Sequence, residues 1–245
     1  MDADDLAHPR RLELQLAASA AEPSLAIVGC LVSGFPAAAL RDGMRRYVAW
    51  SNSLVTSEQI RDALFVEAPL VHPSVVIARR ALDAVGGYRD VDLPEDYDLW
   101  MRLILAGHRA AKVPEHLLEW RDSPLRLTRT DPRYGRSRIL ATKLRYLPEV
   151  VPMSTPIQIW GAGPIGRGWA RDLEELGYSI RRFVDVDPRK LGRRLRGIPV
   201  EAPSQLDRAD GFVLTAVGAP GAREQIQTYL AERGLSPWVD HLAVA

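Results

Sequence analysis

Apolar positions follow a helical period in some segments of the first half of the chain and form continuous runs in others. In residues 9–21 the apolar side chains recur every fourth position, which predicts an amphipathic helix whose buried face carries Leu12, Leu16 and Ala20. The uninterrupted apolar run 25–32 predicts a buried strand. By the same reasoning, the sequence predicts helices over 41–52, 80–85 and 97–106 and a strand over 72–79.

The second half of the chain alternates between strand and helix patterns, which implies a parallel sheet covered by helices. The predicted elements are strands over 157–160, 180–186 and 211–218 and helices over 167–176 and 222–233. Residues 147–156 carry three prolines and no periodic pattern, so the domain boundary is placed there. We therefore predict an α/β protein with one module over 1–147, a linker over 148–156 and a second module over 157–245.

The composition is that of a globular protein without a strong charge. Of 245 residues, 47% are hydrophobic, and 32 basic side chains nearly cancel 31 acidic ones, so no global field favours nucleic acid. The single cysteine, Cys30, excludes an internal disulfide and fits a reducing compartment. No stretch approaches the roughly 20 apolar residues that span a bilayer. The N-terminus also lacks an apolar signal core, and we expect a cytoplasmic protein.

Carboxylates stand at two places where they could do chemistry. Asp2 and Asp4 are one residue apart, and at a strand end such side chains point the same way and could hold one Mg²⁺ or Mn²⁺ ion. An acidic N-terminus is also commonly just solvated. Asp96 follows Glu95 at the start of the predicted helix 97–106, where it could accept a proton from a hydroxyl or simply stabilise the helix N-terminus.

Taken in order, several short motifs of the first half resemble family-2 glycosyltransferases of the GT-A fold. They are Asp2-Ala3-Asp4-Asp5, Pro9-Arg10-Arg11-Leu12, His72-Pro73-Ser74, Gly86-Gly87-Tyr88-Arg89 and Pro94-Glu95-Asp96-Tyr97-Asp98-Leu99-Trp100. The resemblance covers roughly residues 1–147, and the motifs are specific only as an ordered set. It implies metal-dependent, inverting transfer of a sugar from a UDP-linked nucleotide-sugar to a hydroxyl. The acceptor implied is a glycan or a lipid-linked molecule, and the latter would bring the protein to a membrane surface.

The resemblance also implies roles for individual residues. Asp2 and Asp4 match the D-x-D motif that binds a divalent cation and the donor diphosphate. Asp96 matches the catalytic base of inverting members, with Glu95 beside it lining the acceptor site. Arg121 lies where relatives often place a loop over the diphosphate, so it is either a phosphate contact or a structural arginine.

The resemblance also bears on Asp5, on His72 and on the start of the chain. Asp5 is expected to orient the D-x-D cluster, and His72 either touches the acceptor or is structural. In the family a nucleotide-binding half precedes the D-x-D motif, whereas this sequence begins one residue before it. The sequence therefore predicts that Met1 is an internal methionine and that the isolated chain transfers no sugar.

A glycine-rich loop opens the second module. Gly161, Gly163 and Gly166 follow a predicted strand and precede a helix, which is the context of a Rossmann-like nucleotide-binding loop. The bared N–H groups of such a loop favour an anion. Asp185 stands where a ribose-binding carboxylate is expected, with Asp187 as the alternative.

Residues 157–245 are also similar to the N-terminal domains of bacterial nucleotide-sugar acyltransferases. The matching pieces are Gly161-Ala162-Gly163, Phe183-Val184-Asp185-Val186-Asp187, Lys190-Leu191-Gly192, Gly197-Ile198-Pro199-Val200 and Ala216-Val217-Gly218. In that family the loop faces a UDP-sugar rather than NAD, and no acyl transfer is implied here. Two alternatives stay open beside the glycosyltransferase: a non-catalytic nucleotide-binding or scaffold protein, and an NAD(P)-dependent oxidoreductase.

Overall fold

The computed structural model describes residues 3–123 and 126–245 and divides into two compact units. Unit 1 comprises Met1–Leu64 and Ala68–Thr142, and unit 2 comprises Phe65–Glu67 and Lys143–Ala245. Both units combine helices with a sheet, so the predicted α/β class is confirmed. Within the described ranges, no helix is both long and apolar enough to cross a bilayer.

Unit 1 is built on a four-stranded mixed sheet in the order β1-β4-β2-β3. The long central strands β2 and β4 run parallel, and the two-residue strands β1 and β3 pair with them antiparallel. The strands are β1 (Leu6–Ala7), β2 (Leu25–Phe35), β3 (Val76–Ile77) and β4 (Arg109–Arg121). The helices that begin in unit 1 are α1 (Arg11–Ala21), α2 (Asp42–Ser53), α3 (Ser57–Asp62), α4 (Arg79–Ala84), α5 (Glu95–Leu105), α6 (Leu127–Thr130) and α7 (Arg136–Tyr146), of which α7 contains the division between Thr142 and Lys143.

The predicted buried face of α1 is wrong. Leu12 and Leu16 are 59% and 62% exposed, whereas Arg11 and Gln15 are buried. Gln15 Nε2 donates to the carbonyls of Val28 (2.6 Å) and Ser74 (2.8 Å), so the helix turns its hydrogen-bonding side chains towards backbone acceptors inside the unit. Leu14 and Ala18 lie on this same side of the helix and pack against the core. The buried face therefore combines apolar packing with donors for buried carbonyls, and it is offset from the predicted face.

The predicted strand over 72–79 is also only partly right. Residues His72–Ser74 form a 3₁₀ turn with Pro73 in its first turn, and the strand is reduced to Val76–Ile77. The α4 helix then begins at Arg79.

Helix α5 carries a buried ion pair. Arg102 Nε donates to Asp98 Oδ2 at 2.8 Å, one helical turn apart, and the two side chains are 6% and 0% exposed. Arg102 Nη1 also donates to the carbonyl of Val85 (2.8 Å), which fixes the end of α4 against α5. The helix therefore depends on a charge pair that water does not screen.

Arg102→Met is expected to destabilise unit 1 by about 3–5 kcal/mol, because it leaves the Asp98 carboxylate buried without its cation. Urea denaturation followed by circular dichroism measures the change. The control is Arg10→Met, which removes an exposed i,i+3 pair with Glu13 and should leave the transition unmoved. Equal unfolding curves for the two variants would contradict the role of the buried pair.

Unit 2 holds a six-stranded sheet in the order β10-β9-β5-β6-β8-β7. All pairs are parallel except β7 with β8, and the five parallel strands follow the order 3-2-1-4-5 of a Rossmann-like sheet. The strands are β5 (Ile157–Trp160), β6 (Ile180–Val184), β7 (Arg194–Leu195), β8 (Ile198–Glu201), β9 (Phe212–Thr215) and β10 (His241–Ala243). The helices are α8 (Pro164–Leu176) and α9 (Ala222–Ala231).

The segment 148–156, for which the sequence predicts a linker, packs within unit 2. Val151 is fully buried, and its carbonyl accepts a hydrogen bond of 2.6 Å from the Tyr178 hydroxyl. The structure divides the chain between Thr142 and Lys143 instead. The prolines interrupt the helical pattern of this segment, but the segment is not an exposed linker.

Candidate functional site

The acidic turn at the start of unit 1 lies against the end of β4. Strand β1 pairs Leu6 with Glu119, which brings the two preceding carboxylates beside Arg121. The Arg121 N–H donates to Asp5 Oδ1 (3.0 Å), and its Nε donates to the Asp4 carbonyl (3.1 Å) and lies 3.6 Å from Asp4 Oδ2. The structure therefore brings together Asp4 and Arg121, which the sequence predicts as metal and diphosphate residues.

Asp4 and Asp5 differ in how much of their carboxylate groups is exposed to solvent. Asp5 is buried, and its hydrogen bond to the Arg121 backbone holds the turn onto β4. Asp4 is about half exposed, so a hard cation could reach its carboxylate, of which Oδ2 lies 3.6 Å from Arg121 Nε. Asp2 lies outside the described residues. Among the residues described, no cluster of three or more His, Cys, Asp or Glu side chains could cage a metal by itself.

A second group of polar side chains surrounds the start of α5. Asp96 lies in its first turn, with Oδ1 accepting the Tyr97 N–H at 2.7 Å. Burial raises the pKa of Asp96 to about 6, with the charge of His72 opposing and that of Glu95 adding to the shift. A carboxyl with this pKa is largely ionised at neutral pH and is a stronger base than an exposed aspartate.

Two tyrosines hold the groups around Asp96. The Tyr88 hydroxyl lies 2.8 Å from His72 Nε2, and their rings are 5.5 Å apart. The Tyr134 hydroxyl donates to the Glu95 carboxylate. The histidine and the glutamate that flank Asp96 are therefore each held by a phenol.

Helix α1 supports the turn that carries His72. Arg11 Nη2 donates to the Pro73 carbonyl (2.6 Å), and Gln15 Nε2 donates to the Ser74 carbonyl (2.8 Å). The helix that follows the acidic turn thus fixes the backbone of the His72 turn. This contact gives a physical reason for the sequence to contain both the Pro9-Arg10-Arg11-Leu12 and His72-Pro73-Ser74 motifs.

In unit 2 the glycine loop packs closely against the following helix and a neighbouring strand end. A Cβ on Gly166 would lie 1.7 Å from the Gly161 carbonyl oxygen, and a Cβ on Gly161 would lie 2.8 Å from the Ala216 carbonyl oxygen. A Cβ on Gly163 would meet nothing within 4 Å. Two of the glycines therefore allow the strand, loop and helix to pack, and the third leaves the loop backbone open on one side.

That open side faces a cavity of about 570 Å³ at the carboxyl ends of the central strands. In sheets of this kind, the crevice where the strand order reverses is the usual ligand position. Apolar groups make up much of the lining, including Ile165, Val186, Val217 and Tyr229. The polar lining includes Asp185, Asp187, Lys190 and Gln225.

Asp185 is bound to the protein on both oxygens. Oδ2 accepts from the Ala162 N–H and from Lys190 Nζ, each at 2.9 Å, and Oδ1 accepts from the Asp187 N–H at 2.9 Å. Burial acts to raise its pKa, but these hydrogen bonds outweigh burial and hold the pKa below the ordinary value. Asp185 is therefore ionised at neutral pH and ties β6 to the glycine loop.

Sequence reasoning missed several residues that the structure places at these sites. Tyr134 reaches Glu95 from a segment where the sequence predicts no site residue, and Lys190 lies in the Lys190-Leu191-Gly192 piece, for which no role is predicted. Tyr88 had a signal, since it lies in the Gly86-Gly87-Tyr88-Arg89 motif, but its contact with His72 needs the fold. Arg11 likewise lies in a motif, without a pattern that reveals its partner.

No family model matches the sequence. Among solved structures, a UDP-D-quinovosamine 4-dehydrogenase from Vibrio fischeri is 23% identical with a TM-score of 0.32, over 36% of this chain and 76% of that chain. RSP, a Rex-family repressor, is 16% identical with a TM-score of 0.29, over 42% of this chain and 59% of that one. These scores are too low to support a statement about function.

Two curated proteins are similar to this chain in sequence. The amylovoran biosynthesis glycosyltransferase AmsE of Erwinia amylovora is 26% identical over 121 residues, which cover 49% of this chain and 43% of that protein. An uncharacterized glycosyltransferase of Haemophilus influenzae is 30% identical over 118 residues, which cover 48% of this chain and 42% of that protein. The chain thus spans less than half the length of these relatives. About half of it is similar to two proteins named as glycosyltransferases.

Proposed function

We propose that unit 1 supplies the diphosphate-binding and acceptor-activating residues of a family-2, inverting glycosyltransferase. The observation that carries this proposal is Asp96, a partly buried carboxylate with its pKa raised to about 6 at the start of α5, flanked by His72 and Glu95. The similarity to two glycosyltransferases supports it. The donor proposed is a UDP-linked sugar, and the acceptor is a hydroxyl of a glycan or a lipid-linked molecule in the cytoplasm.

In the proposed reaction Asp96 takes the proton of the acceptor hydroxyl. The freed oxygen attacks the anomeric carbon, the bond from that carbon to the diphosphate oxygen breaks, and UDP leaves from the opposite face. Attack from one face and departure from the other inverts the anomeric configuration. The hydrogen bond from Tyr134 keeps the neighbouring Glu95 carboxylate at a fixed position beside the base.

The leaving diphosphate requires positive charge. A divalent cation, Mg²⁺ or Mn²⁺, held by Asp2 and Asp4 would neutralise it. Arg121 adds a guanidinium beside Asp4, anchored through its backbone to Asp5 and stacked over the Phe35 ring at 4.5 Å. At this position the guanidinium could donate to a phosphate oxygen of the diphosphate.

Because the chain spans 43% of AmsE, activity is best tested in a chimera. The part of AmsE outside its matched segment is joined to this chain, and UDP release from a panel of UDP-sugars is measured with Mn²⁺. Metal-dependent release with transfer to a hydroxyl acceptor supports the proposal. A folded chimera that releases UDP from none of the donors would overturn it, and the isolated chain is assayed in parallel.

Arg121→Met in the chimera is expected to reduce kcat/KM for the donor by about 10- to 100-fold, the worth of one charge-assisted hydrogen bond. Arg121→Lys should recover part of the loss because it keeps the charge. Arg10→Met serves as the matched control on an exposed arginine of α1's N-terminus. An unchanged kcat/KM in Arg121→Met would assign that arginine a structural role only.

A second proposal concerns unit 2, which we assign as a nucleotide or nucleotide-sugar binding module. The cavity at the glycine loop favours it: Gly161, Gly163 and Asp185 line the cavity, and Gly166 lets α8 pack against the loop. If binding occurs in a chimera that shows no turnover, the protein is a non-catalytic nucleotide-binding or scaffold protein. Calorimetric titration with NAD and NADP tests the oxidoreductase alternative, which requires binding of a nicotinamide nucleotide.

A further inference from the structure

One oxygen atom joins the glycine loop of unit 2 to a cation. Asp185 Oδ2 accepts a hydrogen bond from the Ala162 N–H and another from Lys190 Nζ, both at 2.9 Å. Because the two donors share one acceptor, the Lys190 ammonium is held directly beside the loop backbone. Both Lys190 and the loop residues Gly161 and Gly163 line the cavity.

The Lys190 ammonium has N–H donors available to a ligand, whereas most of the acceptor positions of the Asp185 carboxylate are already used by the protein. A lysine carries three N–H donors, and the structure shows one of them on Asp185, with the Lys190 side chain 36% exposed. Asp185 accepts three hydrogen bonds from the protein itself and its side chain is 9% exposed. A ribose hydroxyl would have to compete with these bonds.

The carboxylate of Asp187, also in the cavity lining, is suited to bind sugar hydroxyl groups. Asp187 lines the cavity, and its Oδ1 accepts the Arg189 N–H at 3.0 Å. Carboxylate oxygens accept hydrogen bonds from hydroxyl groups and repel phosphates. Among the described lining residues, Lys190 is thus the cation available to a phosphate, and the open backbone of Gly163 gives the phosphate room to approach it.

We infer that Lys190 binds the diphosphate of the nucleotide in unit 2, and that Asp185 positions this lysine at the glycine loop instead of binding the ribose. The inference rests on the proposed nucleotide binding by unit 2. It replaces the role that the loop pattern predicts for Asp185 and names a phosphate contact that the pattern does not contain.

Calorimetry of the whole chain with UDP, together with NMR titration with uridine, tests the inference. Lys190→Met is expected to weaken UDP binding by about 10- to 100-fold and to leave uridine binding unchanged, because uridine has no phosphate. The affinity for UDP should also become less dependent on NaCl in this variant. Lys190→Arg keeps the charge and should stay within a few-fold of the wild type.

Arg189→Met is the matched control, since Arg189 is the exposed cation next in sequence and does not appear in the cavity lining. It should bind UDP as the wild type does. Equal UDP affinity in Lys190→Met and wild type, or an equal loss for UDP and uridine, would overturn the role of Lys190 while leaving nucleotide binding intact. If the wild-type chain binds neither UDP nor a UDP-sugar, the proposed nucleotide binding itself is overturned.

Discussion

Asp96→Asn in the chimera is expected to reduce kcat by about 10³-fold, because the amide keeps the size of the side chain but accepts no proton. Burial raises the pKa of Asp96 to about 6, so the chimera with Asp96 intact should show kcat/KM falling tenfold per pH unit below about pH 6. A stopped assay of UDP release across pH 5–8 measures both effects. The Asn variant should lose the acidic limb of this profile together with the activity.

The same carboxyl affects stability with a defined sign. Its pKa in the folded protein, about 6, lies above the ordinary value of 3.8, so the folded state holds the proton more tightly than the unfolded state. Stability from this group is therefore lost as pH rises through about 6. Asp96→Asn should raise the unfolding midpoint above that of the wild type at pH 8, and the gap should narrow towards pH 4.

Asp92→Asn is the control for both measurements. Asp92 precedes α5 by a few residues, is exposed, and pairs with Arg138. Its variant should retain activity within about twofold and keep the acidic limb of the pH profile. If Asp96→Asn also keeps wild-type activity in the chimera, Asp96 is not the base, and the raised pKa reflects burial alone.

In unit 1, residues that the sequence singles out at distant positions lie together in the structure, whereas the apolar spacing used for α1 predicted the wrong buried face. Asp4 and Arg121 are far apart in sequence yet lie together, because β1 pairs with the end of β4. Apolar spacing alone did not decide the face of α1, because Leu14 and Ala18, which pack on the core, are spaced like Leu12 and Leu16, which are exposed. Arg11 and Gln15 share the buried face and donate to backbone carbonyls of other segments. Hydrogen-bond acceptors supplied by distant backbone have no signature in local sequence.

In unit 2 the local patterns predicted the three central strands and both helices, but neither β8 nor β10. The strand over 157–160 is observed with its predicted bounds, and the helix that ends before Gly177 is capped by that glycine at φ 96. The contact between Lys190 and Asp185 was not predictable in the same way, because it depends on how the loop after β6 folds back. Strand–loop–helix signals are local, whereas the partners of a charged side chain are decided by the tertiary structure.

Gly166→Ala is expected to destabilise unit 2 by about 3 kcal/mol or more, because the added methyl group must displace backbone and cannot be relieved by a rotamer change. The new Cβ would lie 1.7 Å from the Gly161 carbonyl oxygen and 3.3 Å from Ile159 Cγ2. The loop would have to move away from α8, and the cavity that it lines would change shape. UDP affinity should therefore fall together with stability.

Gly168→Ala on the same helix separates this effect from a general response to alanine. A Cβ on Gly168 meets nothing within 4 Å, and alanine inside a helix is more favourable than glycine by about 0.5–1 kcal/mol. Gly168→Ala should therefore stabilise unit 2 slightly and leave UDP binding unchanged. Native-state hydrogen exchange of the β5 and α8 amides measures both variants. If these amides exchange as slowly in Gly166→Ala as in Gly168→Ala, the close approach of helix and loop does not require glycine at position 166.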